Sequence, residues 1–453
     1  MLSKYFLRLR GRGVVVSLVR FYWFFFSTLL YELSNDGRKQ FKWSSYRAFV
    51  LLATFVMVPL LMVWNHAGLL IDDFIFPAWA FESVEKPLFI VGNARSGTTW
   101  FHRLLVEADD STIFTSMRTW EIVFAQSTAW KVLFLTLYNA DKKFCRGLFF
   151  RILQTVDDVA FGHIKVHPLG LQEYEEDEWL MVSIGLSQLI MFLFPLGGHL
   201  LNPVVMFDQD DAVPAGLRKD IFSFYKDCVR KHLYSHRLLS AEEGHGHVKI
   251  FVSKNPAFTM RLETIMETFP DARVACLLRD PIQSVPSMVS YIGKAWNTFA
   301  CPVRKYPNAD GLVAFCTAAY KFPKRHFGST VPVHQCTFIH YEHLKVRPST
   351  EALRGLKALY CGTEQAPSPT PSPQSSPSRR TAQLTPDRVN LEHLRPRLKE
   401  EDDKATKGLY KSSHHYEVLE VTGFTEEGMR KLLEGIYHEH SFSLPQTQDN
   451  DKS

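Results

Sequence analysis

The chain has 453 residues, 46% of them hydrophobic and 22% charged, which is the composition of a folded globular protein. This excludes a largely disordered chain and a collagen-like fibre, and the length allows two or three domains or one large α/β domain with additions. Lys and Arg number 52 against 47 Asp and Glu, and the net charge of +5 does not indicate a nucleic-acid partner. The seven cysteines form no Cys-x-x-Cys pair, which argues against a zinc ribbon or a redox motif.

Two apolar segments lie near the N-terminus. Residues 14–33 (VVVSLVRFYWFFFSTLLYEL) contain Arg20, and a charge in mid-span is costly, so this segment predicts a helix in the membrane interface. Residues 48–64 (AFVLLATFVMVPLLMVW) carry no charge over 17 residues, at the short edge of the ~17–25 that cross a bilayer. We therefore predict one membrane-spanning helix, in the second segment.

The charges around these segments predict an orientation. Residues 1–48 hold nine Lys and Arg against two acidic residues, and the positive-inside rule keeps such an end in the cytosol. A single span then predicts a type II protein of the endoplasmic reticulum or Golgi with a luminal catalytic domain. A hairpin of two spans would return the domain to the cytosol, and both helices could instead pack on a soluble domain. The absence of an Asn-x-Ser/Thr sequence weakens the luminal prediction.

An α/β pattern begins at residue 87. Short apolar runs predict strands, and each is followed by helical spacing of apolar residues or by a helix-opening proline such as Pro281. Alternating strands and helices predict a doubly wound parallel sheet of P-loop-like type, with residues 110–235 as a helical cap. The predicted strands are 88–91, 247–254, 272–278 and 336–341, and the predicted helices include Phe258–Phe269 and one from about Thr350.

The segment 363–388 interrupts this pattern with many Pro and Ser residues and has no large apolar residue before Leu384, so it predicts a disordered insertion. The resulting division of the chain has five parts. They are an N-terminal membrane-anchoring region (1–80), the α/β domain (85–362), the insertion (363–388), a C-terminal helical part of the domain (389–445) and a disordered tail (446–453).

The strongest motif is PLFIVGNARSGTTW at 87–100, in which a buried strand runs into a glycine-containing loop and then a helix. Backbone N–H groups at such a helix N-terminus bind anions. Gly92 and Gly97 have the spacing of a nucleotide-binding P-loop, but Thr98 replaces the lysine that reaches the β- and γ-phosphates of a triphosphate. The positive charge lies within the loop at Arg95. The motif therefore predicts a site for one terminal anionic group, without a triphosphate–metal clamp.

A second motif, LLRDPIQSVPS at 277–287, places Arg279 at a strand end and Ser287 eight residues later in a helix. An arginine fork and a serine hydroxyl suit a phosphate group. Together the two motifs resemble the sulfotransferases that use 3′-phosphoadenosine-5′-phosphosulfate (PAPS). The resemblance implies that PAPS is bound at its 5′-phosphosulfate by Arg95, Ser96, Gly97, Thr98, Thr99 and Trp100, and at its 3′-phosphate by Arg279 and Ser287.

The resemblance covers roughly residues 85–345, resumes at 413–437, and is closest to the membrane-associated and bacterial branch. It includes a Trp-Glu pair, a stretch with two histidines and several acids, and a Ser-Lys-Asn-Pro turn. These are Trp120 and Glu121, His163, His167 and the acids between Glu173 and Glu178, and Ser253 to Pro256. We interpret the acids between Glu173 and Glu178 as a solvated face.

Sulfuryl transfer requires cations on the transferred group, a base for the acceptor and a dry pocket. Arg95 is the first candidate cation and Lys254 the second. Glu121 is the candidate base, because Trp120 beside it would desolvate the carboxyl and raise its pKa. His163 and His167 are the competing bases; their i, i+4 spacing also suits a metal, but no third ligand pattern accompanies them, so no metal is expected.

The sequence does not identify the acceptor; the resemblance implies a hydroxyl or an amine, on a small molecule, a lipid or sterol alcohol, or a carbohydrate. The apolar run 189–196 (LIMFLFPL) suits either an acceptor pocket or the core. Two other functions remain open from the residues alone. One is a P-loop nucleotide kinase or ATPase, which the missing lysine argues against, and the other is a non-catalytic binding protein on this fold. The sequence does not indicate an oligomeric state.

Overall fold

The computed structural model of the chain describes residues 11–40, 42–110, 112–161, 170–187, 193, 213–240, 249–299, 309–361, 389–407 and 422–440. Five parallel strands form the central sheet of this part, in the order β2-β3-β1-β4-β5. The strands are β1 (Leu88–Gly92), β2 (Phe114–Thr115), β3 (Ile250–Lys254), β4 (Arg273–Leu278) and β5 (Cys336–His340). The prediction of a parallel α/β sheet is confirmed, and β2, only two residues long, is the strand that the sequence did not predict.

The α-helices before β3 are α1 (Val14–Leu33), α2 (Asn35–Gln40), α3 (Ser45–Ile75), α4 (Thr98–Asp109), α5 (Thr119–Phe124), α6 (Thr128–Phe144), α7 (Leu148–Phe161) and α8 (Ala215–Ser240). Those after β3 are α9 (Leu262–Thr268), α10 (Pro281–Thr298), α11 (Ala309–His326), α12 (Tyr341–Val346), α13 (Pro348–Tyr360), α14 (Arg395–Thr406) and α15 (Glu426–Glu439). Short 3₁₀ turns are Pro77–Phe81, Asp177–Ile184, Pro256–Met260, Val333–Gln335 and Glu392–Leu394. The described part of the 110–235 region is therefore mostly helical, as predicted.

Side chains alternate between the two faces of the sheet, and a hydrophobic core lies on each face. Phe89 and Val91 of β1 point into the larger core, and Leu88 and Ile90 point into the smaller one. Helices therefore cover both faces, which explains why β1 is a continuous apolar run rather than an alternating one.

Two helix predictions differ in detail from the structure. The predicted helix Phe258–Phe269 is a 3₁₀ turn followed by α9, with Arg261 between them in a non-helical conformation. The helix predicted from Thr350 begins two residues earlier, at Pro348, and the short α12 precedes it. Pro281 does open α10, and Asp280 caps that helix by accepting a hydrogen bond from Ile282 N. The insertion 363–388 and the tail 446–453 lie outside the described residues.

The N-terminal helices α1 and α3 pack against each other and against the cap. Arg47 at the start of α3 forms a 3.0 Å ion pair with Glu32 at the end of α1, and both side chains are fully buried. Near the end of α3, the Asp72 carboxylate accepts hydrogen bonds from the backbone N–H groups of Thr128 and Ala129, at 2.9 and 2.8 Å. The apolar run 48–64 is thus part of a longer helix of 31 residues, and that helix contacts the cap.

Both α1 and α3 are long and apolar enough to cross a bilayer, by length and composition. About a third of the most apolar window of each helix is buried within the protein. The sequence predicts a domain boundary near residue 80, but α3, which lies before this boundary, contacts the cap, which lies after it.

Candidate active site

The loop between β1 and α4 forms a backbone cradle. Gly92 has φ +130°, and a Cβ there would lie 2.4 Å from the carbonyl oxygen of Leu277. Gly97 has φ +89°, and a Cβ there would lie 2.6 Å from the ring of Tyr341. Only glycine fits these two positions, because both the backbone conformation and the space exclude a side chain. Between them Arg95 adopts φ +69°, which is uncommon for a residue with a side chain.

Helix α4 begins directly after Gly97 and presents its N-terminus to the cradle. Its first intrahelical bond runs from Phe101 N to Gly97 O, so the backbone N–H groups of the preceding residues in the first turn make no bond within the helix. Thr98 is buried in this turn, and Thr99 and Trp100 are partly exposed. The twelve-residue helix adds the positive end of its dipole. The geometry is that of an anion site.

Arg95, Arg279 and Ser287, which the sequence predicts to share a ligand, are in mutual contact. Arg95 Nε donates to Ser287 Oγ at 3.2 Å, and Arg279 Nη1 donates to the backbone carbonyl of Arg95 at 3.0 Å. The Arg279 guanidinium lies 4.6 Å from the centre of the Tyr341 ring. Arg95 lies 184 residues before Arg279 and 192 before Ser287, and β1 and β4, which are paired in the sheet, bring the two segments together.

Lys254 ends β3, next to β1, with Ile90 opposite it in register. Its side chain is fully buried, and Nζ lies 3.0 Å from Glu176 Oε1 and 4.0 Å from Glu175 Oε2. Glu176 is partly exposed, whereas Glu175 is buried and also pairs with Arg103 at 3.6 Å. A buried lysine at the carboxyl edge of the sheet is thus held by two carboxylates.

Tyr291 links these two groups. It lies one helical turn after Ser287 in α10, and the Arg95 guanidinium is 5.5 Å from the centre of its ring. Burial raises the pKa of Tyr291, the charges of Glu176 and Glu175 raise it further, and Arg95 opposes them. The phenol therefore lies between the loop cation and the carboxylates that hold Lys254.

Comparisons with known proteins find similarity to sulfotransferases. A model of the sulfotransferase family matches residues 199–360. The chain is 26% identical over 270 residues to omega-hydroxy-beta-dihydromenaquinone-9 sulfotransferase Stf3 of Mycobacterium bovis, and equally to that of Mycobacterium tuberculosis. The chain is therefore similar in sequence to sulfotransferases. Each match covers 58% of this chain and 58% of the relative, so the similarity extends over little more than half the length of these relatives.

Two solved structures show the same fold. Sulfotransferase STF9 from Mycobacterium avium has a TM-score of 0.56 and 15% identity, over 88% of this chain and 86% of the other. Sulfotransferase STF1 from Mycobacterium tuberculosis has a TM-score of 0.50 and 17% identity, over 86% of this chain and 92% of the other. At this identity the likeness concerns the fold alone.

Glu121 lies in a buried cluster of the cap. Its Oε1 is 2.9 Å from Lys131 Nζ and 3.3 Å from His232 Nδ1, and its Oε2 accepts from the backbone N–H of Arg118. The sequence predicts that desolvation raises the pKa of Glu121, and this prediction is wrong for the net shift. Burial acts in that direction, but the charges of Lys131, His232 and His236 outweigh it and hold the pKa of Glu121 well below its ordinary value.

Glu121, His232 and His236 also have the composition of a metal site, with ligand atoms within 4.8 Å of one another. The Lys131 ammonium, however, lies 2.9 Å from Glu121 and 2.8 Å from His232 Nδ1, so a protein cation already binds these ligands. Lys131 thus takes up contacts on Glu121 and His232 that a metal ion would need, so this arrangement does not favour a metal. His163 and His167, the competing bases, lie outside the described residues, as does most of the apolar run 189–196.

Sequence reasoning missed the acidic residues at the site. Glu175, Asp177 and Glu178 are buried, so the interpretation of this stretch as a solvated face was wrong. Asp177 accepts hydrogen bonds from Tyr225 and from Asn255, in the turn after Lys254. Burial raises the pKa of Asp177 to about 6, against these hydrogen bonds. The acidic run itself was the available signal, but its partners Tyr225 and Asn255 lie 48 and 78 residues from Asp177, and no local pattern identifies them.

Proposed function

We propose that this protein transfers a sulfuryl group from PAPS to a hydroxyl, or an amine, of an acceptor. The observation that carries the proposal is the convergence of Arg95, Arg279 and Ser287 beside the N-terminus of α4. These residues fit PAPS, because the donor has an anionic group at each end of its ribose and the chain supplies a cation near each. The absence of a lysine at Thr98 favours this donor over a triphosphate.

The loop and the segment after β4 would bind different groups of PAPS. The N–H groups from Ser96 to Trp100 would hold the 5′-phosphosulfate, and Arg279 and Ser287 the 3′-phosphate. When bound, PAPS supplies the sulfuryl group and a phosphate leaving group. Arg95 and Lys254 stabilise negative charge on the transferred group and the leaving oxygen, as fixed cations in a site with little water. Lys254 is suited to this because burial leaves its ammonium unscreened by solvent.

Two carboxylates are candidates for the base that takes the acceptor proton. Glu121 remains the prediction from sequence, but its oxygens are engaged by Lys131, His232 and Arg118 N, and a depressed pKa weakens a base. We propose Glu176 instead: it is also paired with a lysine, Lys254, but its side chain is 29% exposed and so accessible to an acceptor, whereas that of Glu121 is 7% exposed. The side chain that takes the acceptor proton, Glu176, and the side chain that stabilises the transferred group, Lys254, would then be neighbours.

The acceptor we propose is a lipid alcohol at a membrane. The Mycobacterium relatives are named for a hydroxylated dihydromenaquinone, which is such an alcohol. A sterol or carbohydrate acceptor is the alternative. The type II orientation with a luminal domain stays a prediction from the charges of residues 1–48, and relatives from bacteria, which lack those compartments, give it no support.

Calorimetric titration of the full chain with adenosine 3′,5′-bisphosphate tests the donor, with ATP–Mg²⁺ as the comparison. Arg279→Ala should weaken bisphosphate binding by about 1.5–3 kcal/mol, the contribution of a hydrogen bond to a charged group. Arg395→Ala, which removes an exposed arginine paired with Glu392, is the matched control and should bind normally. Tighter binding of ATP–Mg²⁺ than of the bisphosphate would reject PAPS as donor and favour the kinase or ATPase alternative.

Release of the bisphosphate from PAPS, measured with a long-chain alcohol, a sterol and a disaccharide, tests acceptor and base together. Glu176→Gln should lower the rate about 10²–10⁴-fold with bisphosphate affinity unchanged, the range for a positioned general base. Near-normal release by Glu176→Gln would return the role to Glu121 or to the histidines at 163 and 167.

A further inference from the structure

Helices α1 and α3 expose a long apolar stripe on the side away from the cap. On α1 the exposed residues recur every three or four positions, so they share one face. They are Val15, Val19, Trp23, Phe26, Leu30 and Leu33. On α3 the same spacing continues over the whole helix. Its exposed residues are Phe49, Leu52, Val56, Met57, Leu60, Val63, Trp64, Leu70, Phe74 and Ile75.

Helices α6 and α7 extend this surface. Helix α7 is amphipathic and exposed on both its polar and its apolar side, so its apolar face is uncovered, whereas such a face usually packs on the core of a globular domain. Its exposed apolar residues are Leu148, Phe149, Ile152, Leu153, Val156 and Val159. Helix α6 adds Leu133, Leu137 and Phe144, which share one side of the helix. Most of the exposed large apolar side chains in the described part of the chain therefore lie on four helices.

Ring contacts show that the four helices lie side by side. Tyr22 and Phe26 of α1 contact Phe55 of α3 at 5.2 and 5.9 Å between ring centres. Trp64 of α3 stacks on Trp130 of α6 at 4.1 Å, and Tyr138 of α6 contacts Phe150 of α7 at 4.9 Å. The stripes thus join into one apolar face of more than twenty side chains. Single apolar patches on soluble monomers seldom exceed ~300–600 Å².

The opposite side of α3 is tied to the domain at both ends, which excludes a span while these contacts hold. At its start, Arg47 donates to the carbonyl of Phe299, which follows α10, at 3.2 Å. At its end, Asp72 pairs with Lys231 of α8 at 3.1 Å. These anchor points are about 37 Å apart along a helix, more than the ~30 Å of a hydrocarbon core. If α3 crossed the bilayer, its two ends would lie on opposite sides. The folded domain that contacts both ends would then have to lie on both sides as well, so α3 cannot span the membrane while these contacts hold.

Basic residues border the apolar face. The turn from α6 to α7 carries Lys142, Lys143 and Arg146, all exposed, next to Phe144 and Phe149. Lysine and arginine beside exposed aromatic rings are typical of a segment that lies at the surface of an anionic membrane. This charge favours lipid headgroups over a second copy of the same basic turn.

We propose that α1, α3, α6 and α7 form a single face that inserts into one leaflet of an anionic bilayer, so that the protein lies on the membrane without crossing it. The face places the site near the bilayer surface. One 3₁₀ turn, Asp177–Ile184, separates Glu176 from the Ile184 carbonyl, which accepts a hydrogen bond from Arg20 of α1. The proposal does not depend on the reaction catalysed.

Flotation of the full chain with phosphatidylcholine vesicles, with and without 30% phosphatidylglycerol, tests insertion. We expect the chain to float with both, and more completely with the anionic vesicles. The double variant Phe149→Glu and Val156→Glu should reduce the floated fraction at least tenfold. The control, Val333→Glu and Val346→Glu, changes two equally exposed residues far from the face and should float normally. A chain that does not float with the vesicles would overturn the proposal. A chain that forms a dimer in the absence of detergent, while the Phe149→Glu and Val156→Glu variant is monomeric, would overturn it in favour of a protein interface.

Labelling with a membrane-impermeant maleimide distinguishes insertion from spanning. Lys39 is exposed in α2, between the two apolar helices. A single span through α3, or a hairpin of α1 and α3, puts Lys39 across the membrane from the catalytic domain. We expect Lys39→Cys and Val333→Cys, each introduced into the full chain with its exposed cysteines Cys145 and Cys361 replaced by Ser, to react to the same extent in sealed vesicles from cells that express these variants. Labelling of one and protection of the other would establish a span and overturn the proposal.

Discussion

Replacing Lys131 by Met would leave the Glu121 carboxylate buried without its ammonium partner. The two groups are 2.9 Å apart and only 4% and 7% exposed. At an effective dielectric constant of ~20, their Coulomb attraction is about 6 kcal/mol, which is largely offset by the cost of burying both charges. Removal of one partner of such a pair should lower the free energy of unfolding by about 3–5 kcal/mol. Glu121→Gln should cost somewhat less, because the amide still accepts a hydrogen bond.

Urea denaturation followed by tryptophan fluorescence measures these losses. The double variant should lose about 2 kcal/mol less than the sum of the two single variants, since each removes the same interaction. Lys357→Met, which breaks an exposed ion pair with Glu392, is the control and should change stability by less than about 1 kcal/mol. If Glu121→Gln keeps nearly full stability and instead loses turnover, then the carboxylate is not structural and our reasoning about the base fails.

Three further predictions concern the loop, a buried histidine and a helix cap. Gly97→Ala should lower bisphosphate affinity at least tenfold by calorimetry, because its Cβ would lie 2.6 Å from the Tyr341 ring; unchanged affinity would mean that the cradle is not the binding site. His102 is buried 2.7 Å from Ser116 Oγ, and burial, with the charge of Lys254, lowers its pKa to about 3. The neutral imidazole therefore contributes fully to the free energy of unfolding above pH 6.5, and this contribution falls by about 2 kcal/mol between pH 7 and 5 and further toward pH 3. The free energy of unfolding of His102→Gln should depend less on pH over this range. Parallel pH profiles of the two proteins would refute this. Ser44→Ala should cost about 1 kcal/mol in denaturant, since Ser44 Oγ caps α3 by accepting from Arg47 N at 3.0 Å; no loss would mean that the contacts of Arg47 alone position this end.

The sheet and the anion loop were predictable from sequence because their signals are local. The strands β1, β3, β4 and β5 are short apolar runs bounded by turns, and Gly92 and Gly97 lie at a fixed spacing in one loop. A strand of two residues such as β2 has no periodicity, so only its pairing with β3 identifies it. The contact of Arg95 with Ser287 could be expected from the parallel pairing of β1 and β4.

The environment of the acids could not be predicted. Glu121 adjoins Trp120, which suggested desolvation of the carboxyl, but its pKa depends on Lys131, His232 and His236 from two other helices. The acidic run at 173–178 resembled a solvated surface because isolated carboxylates are rarely buried. Its burial depends on Arg103 and Lys254, which the fold brings in from distant segments.

The Asp72 carboxylate has a consequence for how the protein can be prepared. It satisfies the first N–H groups of α6 from outside that helix and neutralises the buried ammonium of Lys231. A soluble domain is usually separated from its anchor by truncation, here near residue 80. The truncated chain would lack the Asp72 contacts that hold the start of α6, and Lys231 would be left in the interior without its counter-ion. Such a fragment should be recovered from inclusion bodies, whereas the full chain should be extracted intact with mild detergent.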